Sequence, residues 1–282
     1  VFAEGEESTI IRAAVQVQEE KIASPILIGH PEVIKAKAAE LALDLKCQIF
    51  DPDNFARYEK YLNTYYELRA RKGMSPAKAA KRIREPNILG PMMVKMGDAD
   101  AFVSGLTAEY PDVIRPALQI HHTQPGAALV IGLYIMIVNE KVYIFTDATV
   151  NIDPTAEQLA EIAVLAAGFA RQIEIEPRIA FLSFSNFGST EHPRSLMVRK
   201  AVDLVRAKYP DLHVDGEMQA DTAVVPEIIN ERYPFSSVKD ANVLIFPSLE
   251  SANIAYKLLA RLGNAMAIGP VLVGIGAPLH VL

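Results

Sequence analysis

Ile245-Phe-Pro-Ser-Leu-Glu-Ser-Ala-Asn-Ile-Ala-Tyr-Lys-Leu-Leu259, followed by Ala267-Ile-Gly-Pro-Val-Leu-Val-Gly274, decides the fold class of this chain. An apolar strand stops at a proline, a polar turn follows, and a helix begins that carries Lys257. The next apolar segment is again a strand, and it closes on glycine. Strand, turn, helix and strand in succession make one repeat of an α/β layer. The turn and the helix N-terminus lie where such folds bind ligands. The stretch therefore reads as half of a binding site, with Lys257 among its candidates.

The same rhythm extends in both directions. Pro25 to Gly29 and Cys47 to Phe50 read as strands flanking an alanine-rich helix from Glu32 to Leu43. The spacing predicts a helix over Asn54 to Arg71, with Tyr58, Tyr61 and Tyr65 on one core-facing stripe. Ser75-Pro76 starts another helix as cap and first turn. A strand over Asp100 to Ser104 leads to Ile114-Arg115-Pro116, read as a helix opening with proline in its first turn. Leu133 to Val138 and Val142 to Phe145 form a predicted hairpin, expected at a sheet edge or a subunit contact. Asp153-Pro154 opens a long helix. Strands near Ile179–Phe184, Leu212–Val214, Val243–Phe246 and Pro270–Val273 then alternate with helices. Repeated units of this kind imply an α/β fold with mostly parallel sheets.

Composition narrows the function. A net charge of −6 with no basic stripe argues against a nucleic-acid binder. The single cysteine, Cys47, lies in an apolar run and fits a buried thiol in a reducing cytoplasm. The longest apolar stretch, Gly126 to Val138, is too short to span a membrane, and no signal peptide is visible. Both termini read as cut strands, so the chain is expected to be a fragment of a longer polypeptide.

No dinucleotide fingerprint, phosphate loop, nucleophile elbow or zinc-protease motif is present. Three segments carry candidate chemistry. Val103-Ser104-Gly105-Leu106-Thr107 ends a strand and is followed by Arg115. Hydroxyls and a planar cation suit a carbonyl or phosphate oxygen, although a plain strand-to-helix turn with a surface arginine accounts for the spacing more cheaply. Phe184-Ser185-Asn186-Phe187-Gly188-Ser189-Thr190 empties a strand into a hydroxyl-rich loop before a helix. It reads as an anion cradle or as simple capping. Asp215-Gly216-Glu217 and Asp221 stand at a strand end, where capping explains them more cheaply than a metal. Arg69 closes the tyrosine helix, where a cation suits the helix dipole.

Taken together, Tyr66-Glu-Leu-Arg-Ala-Arg-Lys-Gly-Met74, Gly97-Asp-Ala-Asp-Ala-Phe-Val-Ser-Gly105, Ile114-Arg-Pro-Ala-Leu-Gln-Ile120, Asp153-Pro-Thr-Ala-Glu-Gln-Leu159 and Asp215-Gly-Glu-Met-Gln-Ala-Asp221 resemble the phosphate acetyltransferase family along the whole chain. The resemblance implies acetyl transfer between coenzyme A and phosphate without a metal. The family's catalytic arginines match Arg69 and Arg115, and its strand-end serine matches Ser104. The candidate ligand contacts for acetyl-CoA are Arg69, Ser104, Thr107, Arg115, Asn186, Ser189, Thr190 and Lys257, with no metal site. It further implies an outer α/β subdomain, 1–125 plus a truncated 275–282, and an inner one, 126–274, that dimerises, with a cleft between them.

Asn186-Phe-Gly-Ser-Thr-Glu-His-Pro-Arg-Ser195 and Pro278-Leu-His-Val-Leu282 are similar to the transferase-like C-terminal domain of multidomain NADP-dependent malic enzymes. That likeness implies a regulatory domain that binds acetyl-CoA without turning it over. NADP and a divalent metal would then belong only to upstream malic enzyme domains. A further family arginine and aspartate fall beyond Leu282. The leading expectation is thus the regulatory domain, with an active phosphate acetyltransferase as the alternative. A pure assembly domain, dimerising through the hairpin, is the third reading.

Overall fold

A computed structural model describes residues 1–282, and the chain divides into two compact units, residues 1–125 with 275–282 and residues 126–274. The first unit holds α1 (Ser8–Glu19), β1 (Ile26–Ile28), α2 (Pro31–Glu40), β2 (Gln48–Phe50), α3 (Tyr58–Arg69), α4 (Pro76–Arg82), α5 (Pro86–Met96), β3 (Phe102–Ser104) and α6 (Tyr110–His121). The second holds β4 (Ile131–Val138), β5 (Lys141–Thr146), α7 (Ala156–Gln172), β6 (Arg178–Leu182), α8 (Pro193–Lys208), β7 (His213–Met218), α9 (Ala220–Val224), α10 (Pro226–Arg232), β8 (Val243–Ile245), α11 (Leu249–Leu262) and β9 (Met266–Val273). The terminal strand β10 (Leu279–Val281) returns to the first unit.

In the first unit β1 pairs with β2 and β3 with β10, all in parallel. Phe2 bridges Leu27 on one side and Val103 on the other, so the N-terminus joins the pairs into one parallel layer. The second unit carries a six-stranded sheet in the order β7-β6-β8-β5-β4-β9, parallel from β7 to β5 and antiparallel on both sides of β4. The fold is α/β with mostly parallel strands, as the strand-helix rhythm predicts. No helix is long and apolar enough to cross a membrane.

Local expectations fail where a non-local contact decides. The hairpin turns at Asn139-Glu140, both at positive φ, but β4 and β5 lie inside the sheet and not at its edge. The free edges are β7 and β9. Asp215, Gly216 and Glu217 are strand residues of β7, not a loop after it. The helix predicted from Asn54 starts only at Tyr58, because Arg57 is left-handed at φ 72°. Helix α6 begins at Tyr110, so Arg115 and Pro116 sit in its second turn. The cap of α7 is Thr155, with a reciprocal Gln158 bond, two residues beyond the proposed Asp153.

Helices α1 and α5 have no counterpart in the sequence reading. Helix α5 starts at Glu85-Pro86 and carries Gly90-Pro91 inside it. The structure shows why position 90 is glycine. A Cβ on Gly90 would lie 2.3 Å from the Phe102 ring, so glycine lets α5 lie flat on β3. Ile88, Leu89, Met92 and Met93 are buried beneath it, at about 1.5–3 kcal/mol each as an upper bound. Gly90→Ala is expected to destabilise by about 1–3 kcal/mol through overpacking, read as a lowered urea midpoint at constant m-value. An unchanged midpoint would mean that α5 is not held against β3.

Candidate functional site

The loops at the strand ends, where the sequence places anion cradles, are held by the protein's own carboxylates. After β3, the Glu4 carboxylate accepts hydrogen bonds from the backbone N–H groups of Gly105 and Leu106 (2.8 Å each), Thr107 (2.7 Å) and Ala108 (3.1 Å). The Thr107 hydroxyl donates to it as well, at 2.7 Å. Partial burial pushes the Glu4 carboxyl up, but these donors outweigh it and hold the group at about 2, from 4.5. Thr107 is therefore an anchor of this loop, occupied by an internal anion.

Glu4 contributes stability above pH 4.5, the unfolded value, and loses it as the pH falls toward about 2. The stability difference between wild type and Glu4→Gln should be constant above pH 4.5 and shrink steadily below it. A pH-independent difference in denaturant titrations would show that the charge is not what anchors the loop.

The 185–190 loop of the second unit has the same construction around Glu217, which is fully buried. Its carboxylate accepts from the Ser185 hydroxyl (2.9 Å), the Gly188 N–H (2.8 Å) and two nitrogens of Arg199 (3.0 and 3.2 Å). Asn186 Nδ2 donates to Gln219 Oε1 at 3.0 Å, and its Oδ1 accepts from the Gln219 backbone N–H at 2.8 Å. The Ser189 oxygen accepts from the Asn186 N–H at 3.0 Å. Of the three residues nominated here, only Thr190 has an uncommitted side chain. Asp147, after β5, likewise accepts from the N–H groups of Gly132, Thr149, Val150 and Asn151. Asp215 is paired with Arg206 at 2.5 Å and bonded by Ser236 and Ser237.

Lys257 is exposed on α11, its ammonium 5.9 Å from the Tyr256 ring centroid. No hydrogen bond or ion pair links it to the 185–190 loop, so the structure does not bring those candidates together.

A different arrangement exists in the first unit. Arg82, Glu85, Pro86, Asn87, Pro111, Asp112, Arg115 and Gln119 surround a cavity of about 270 Å³. It lies against the N-terminal turns of α5 and α6, whose dipoles favour an anion. Arg115 is exposed and has no ion pair, whereas Arg82 contacts Glu85 at 3.3 Å. Ser104 is buried and donates to Asn87 at 2.7 Å, one residue removed from the cavity. Arg69 does not line it. Its Nε is buried without a partner, as is the Tyr65 hydroxyl. Burial pushes that phenol up, while Arg82 and Arg69 act against it.

The neighbouring pocket is unlike it in charge. Glu4, Glu6, Glu7 and Asp53 line it against His30 and Arg84. His30 is clamped between Glu6 (2.7 Å) and Asp53 (3.2 Å), and those carboxylates raise its pKa. An anion would meet an acidic wall there. Of the two, the Arg82–Asn87–Arg115 cavity is the less acidic, with Glu85 and Asp112 against two arginines. Asn87 is the member that the sequence does not single out, because Gly90-Pro91 obscures the helix that presents it.

The family model described as Phosphate acetyl/butaryl transferase matches residues 1–282. The chain is 41% identical over 284 residues to the phosphate acetyltransferase of Bacillus subtilis (strain 168), across 100% of this chain and 88% of that protein. It is 36% identical over 289 residues to the NADP-dependent malic enzyme of Escherichia coli (strain K12), across 100% of this chain but 38% of that protein. A solved phosphotransacetylase from Streptococcus pyogenes superposes with a TM-score of 0.93 at 40% identity, over 100% of this chain and 86% of that one.

Proposed function

Because the chain belongs to the phosphate acetyl/butaryl transferase family, we propose that it takes part in acyl transfer between coenzyme A and inorganic phosphate, with phosphate held in the Arg82–Asn87–Arg115 cavity. A phosphate oxygen attacks the thioester carbonyl carbon, and a C–O bond forms. The C–S bond then breaks, and the thiolate leaves with the electron pair and takes up a proton. Negative charge gathers on phosphate and the carbonyl oxygen along this path. Cations placed beforehand stabilise it, since they need no reorganisation at the moment of reaction.

The observation that carries this reading is the state of the donors. At the other strand-end loops they already hold a carboxylate, whereas Arg115 has no anionic partner. The test is thiol release and acetyl phosphate formation by the full-length protein from acetyl-CoA and phosphate, expected to saturate in phosphate. No thiol release at any phosphate concentration overturns the reading.

The full-chain match to a malic enzyme supports a second reading, in which acetyl-CoA is a regulatory ligand of this region. The ligand would then bind without thiol release and would have to favour one conformational state over another. NADP and a divalent metal would be held by segments outside this chain.

A second copy of the chain is the partner that best fits the surface of the second unit. Ile254, Leu258 and Leu262 form an exposed stripe on α11. Ala252 is the one fully buried residue of that helix. A two-fold axis across the stripe would run α11 antiparallel to its copy. Like surfaces then meet in a closed isologous contact. Leu258→Glu is expected to convert a dimer to a monomer in sedimentation velocity. A wild-type monomer, or a dimer indifferent to this change, removes the proposed contact.

A further inference from the structure

Asn87 is the second residue of α5 and lies between the cavity and the buried end of β3. Its neighbour Ser104 has one hydroxyl proton and two possible acceptors. Asn87 Oδ1 is 2.7 Å away and Glu4 Oε2 is 3.4 Å away. The shorter contact takes the proton, and Glu4 already receives four backbone N–H groups and the Thr107 hydroxyl. With Oδ1 turned to Ser104, the amide nitrogen of Asn87 points away from it. No protein group accepts from that nitrogen, and Asn87 lines the cavity with Arg82 and Arg115. A side-chain amide fixed at one end and free at the other is a directed donor.

We propose that Asn87 is a catalytic residue of this site, its amide nitrogen donating a hydrogen bond to bound phosphate in the orientation that Ser104 imposes. The proposal rests on the transferase reading of the cavity and deepens it. Ser104 is a positioning residue, since it is buried and its proton is committed to Asn87. Glu4 extends the support outward, because its carboxylate fixes the loop immediately after Ser104. The chain from Glu4 through the 105–108 loop and Ser104 to Asn87 joins parts of the sequence about a hundred residues apart.

The test is a double-mutant cycle on the full-length protein, with Tm recorded for every variant. Asn87→Asp keeps the shape and replaces a donor with a repelling oxygen. It should raise KM for phosphate by at least about tenfold, in line with losing a hydrogen bond to a charged group, and leave KM for acetyl-CoA within about twofold. Ser104→Ala alone should give a smaller rise of a few-fold. In the Asn87→Ala background it should add nothing, because it acts only through Asn87.

If Ser104→Ala lowers Tm strongly, Ser104→Cys keeps the volume and is read the same way. Phosphate affinity is also measured directly, by phosphorus NMR titration of inorganic phosphate, so Asn87 is tested even if the wild type releases no thiol. That result would end the transferase reading alone. Asn87→Asp with unchanged phosphate affinity and KM overturns the Asn87 proposal, as does a wild type that binds no phosphate. Equal Ser104 effects in both backgrounds would assign Ser104 its own contact and overturn the positioning role.

Discussion

Arg115→Ala is expected to lower kcat/KM for acyl transfer by about 10²–10³-fold, the scale measured when one preorganised donor to a developing charge is removed. Tm should hardly change. Arg115 is exposed and makes no ion pair, so truncation deletes no structural partner. Its position in the second turn of α6 is set by Val113, Ile114 and Ala117, which are buried and remain. Arg115→Lys should recover only part of the loss, since a point charge cannot reproduce the planar fork on phosphate. The outcome that sinks the assignment is a variant within a few-fold of wild type, which would move phosphate out of this cavity. A large drop in Tm would make the arginine structural instead.

Glu217→Ala should produce the largest loss of stability, about 3–5 kcal/mol, read by urea denaturation. Burial pushes this carboxyl up, but Arg199, Gly188 and Ser185 bond its charged form and hold it below 4.5. Removing one side of a buried pair leaves the remaining groups without a partner. Arg199 is 36% exposed and can turn to water, which favours the lower end of that range. The Ser185 hydroxyl and Gly188 N–H cannot escape so easily, so the 185–190 loop should loosen as well. Faster amide exchange confined to this loop is the expected signature. The depressed carboxyl stabilises the fold above pH 4.5, and that contribution disappears as the pH falls through its folded value. Glu217→Ala should therefore be most damaging near neutrality and least in acid. A stability loss below about 1 kcal/mol at neutral pH would show that the pair contributes little.

The legible part of the fold was the part carried by short-range pattern. Tyr61 and Tyr65 are buried as the three/four spacing predicts, and Leu159, Ile162, Ala163, Ala166 and Ala170 face the core on α7, whereas Ile173, at the same spacing, caps the helix and is exposed. The illegible part involved contacts that override local signals. Gly90-Pro91 looks like a break until Phe102 is seen pressed against it. The hairpin looks like an edge until β9 and β8 are placed on either side of it.

The site was half legible for the same reason. Sequence nominated loops of the right chemistry, rich in hydroxyls and N–H groups at the ends of strands. It could not show that Glu4 fills one from 101 residues away, or that Glu217 fills the other from 29. It nominated Ser104 and Arg115, yet the residue between them in space was Asn87.

By itself, then, the sequence determined the α/β alternation, the buried faces of its helices and the family, because periodicity and ordered motifs are properties of neighbouring residues. The tertiary structure alone decided which anion-binding donors remain free. A hydrogen-bond donor has no function until its acceptor is known, and here the acceptors come from distant segments that meet only when the chain has folded.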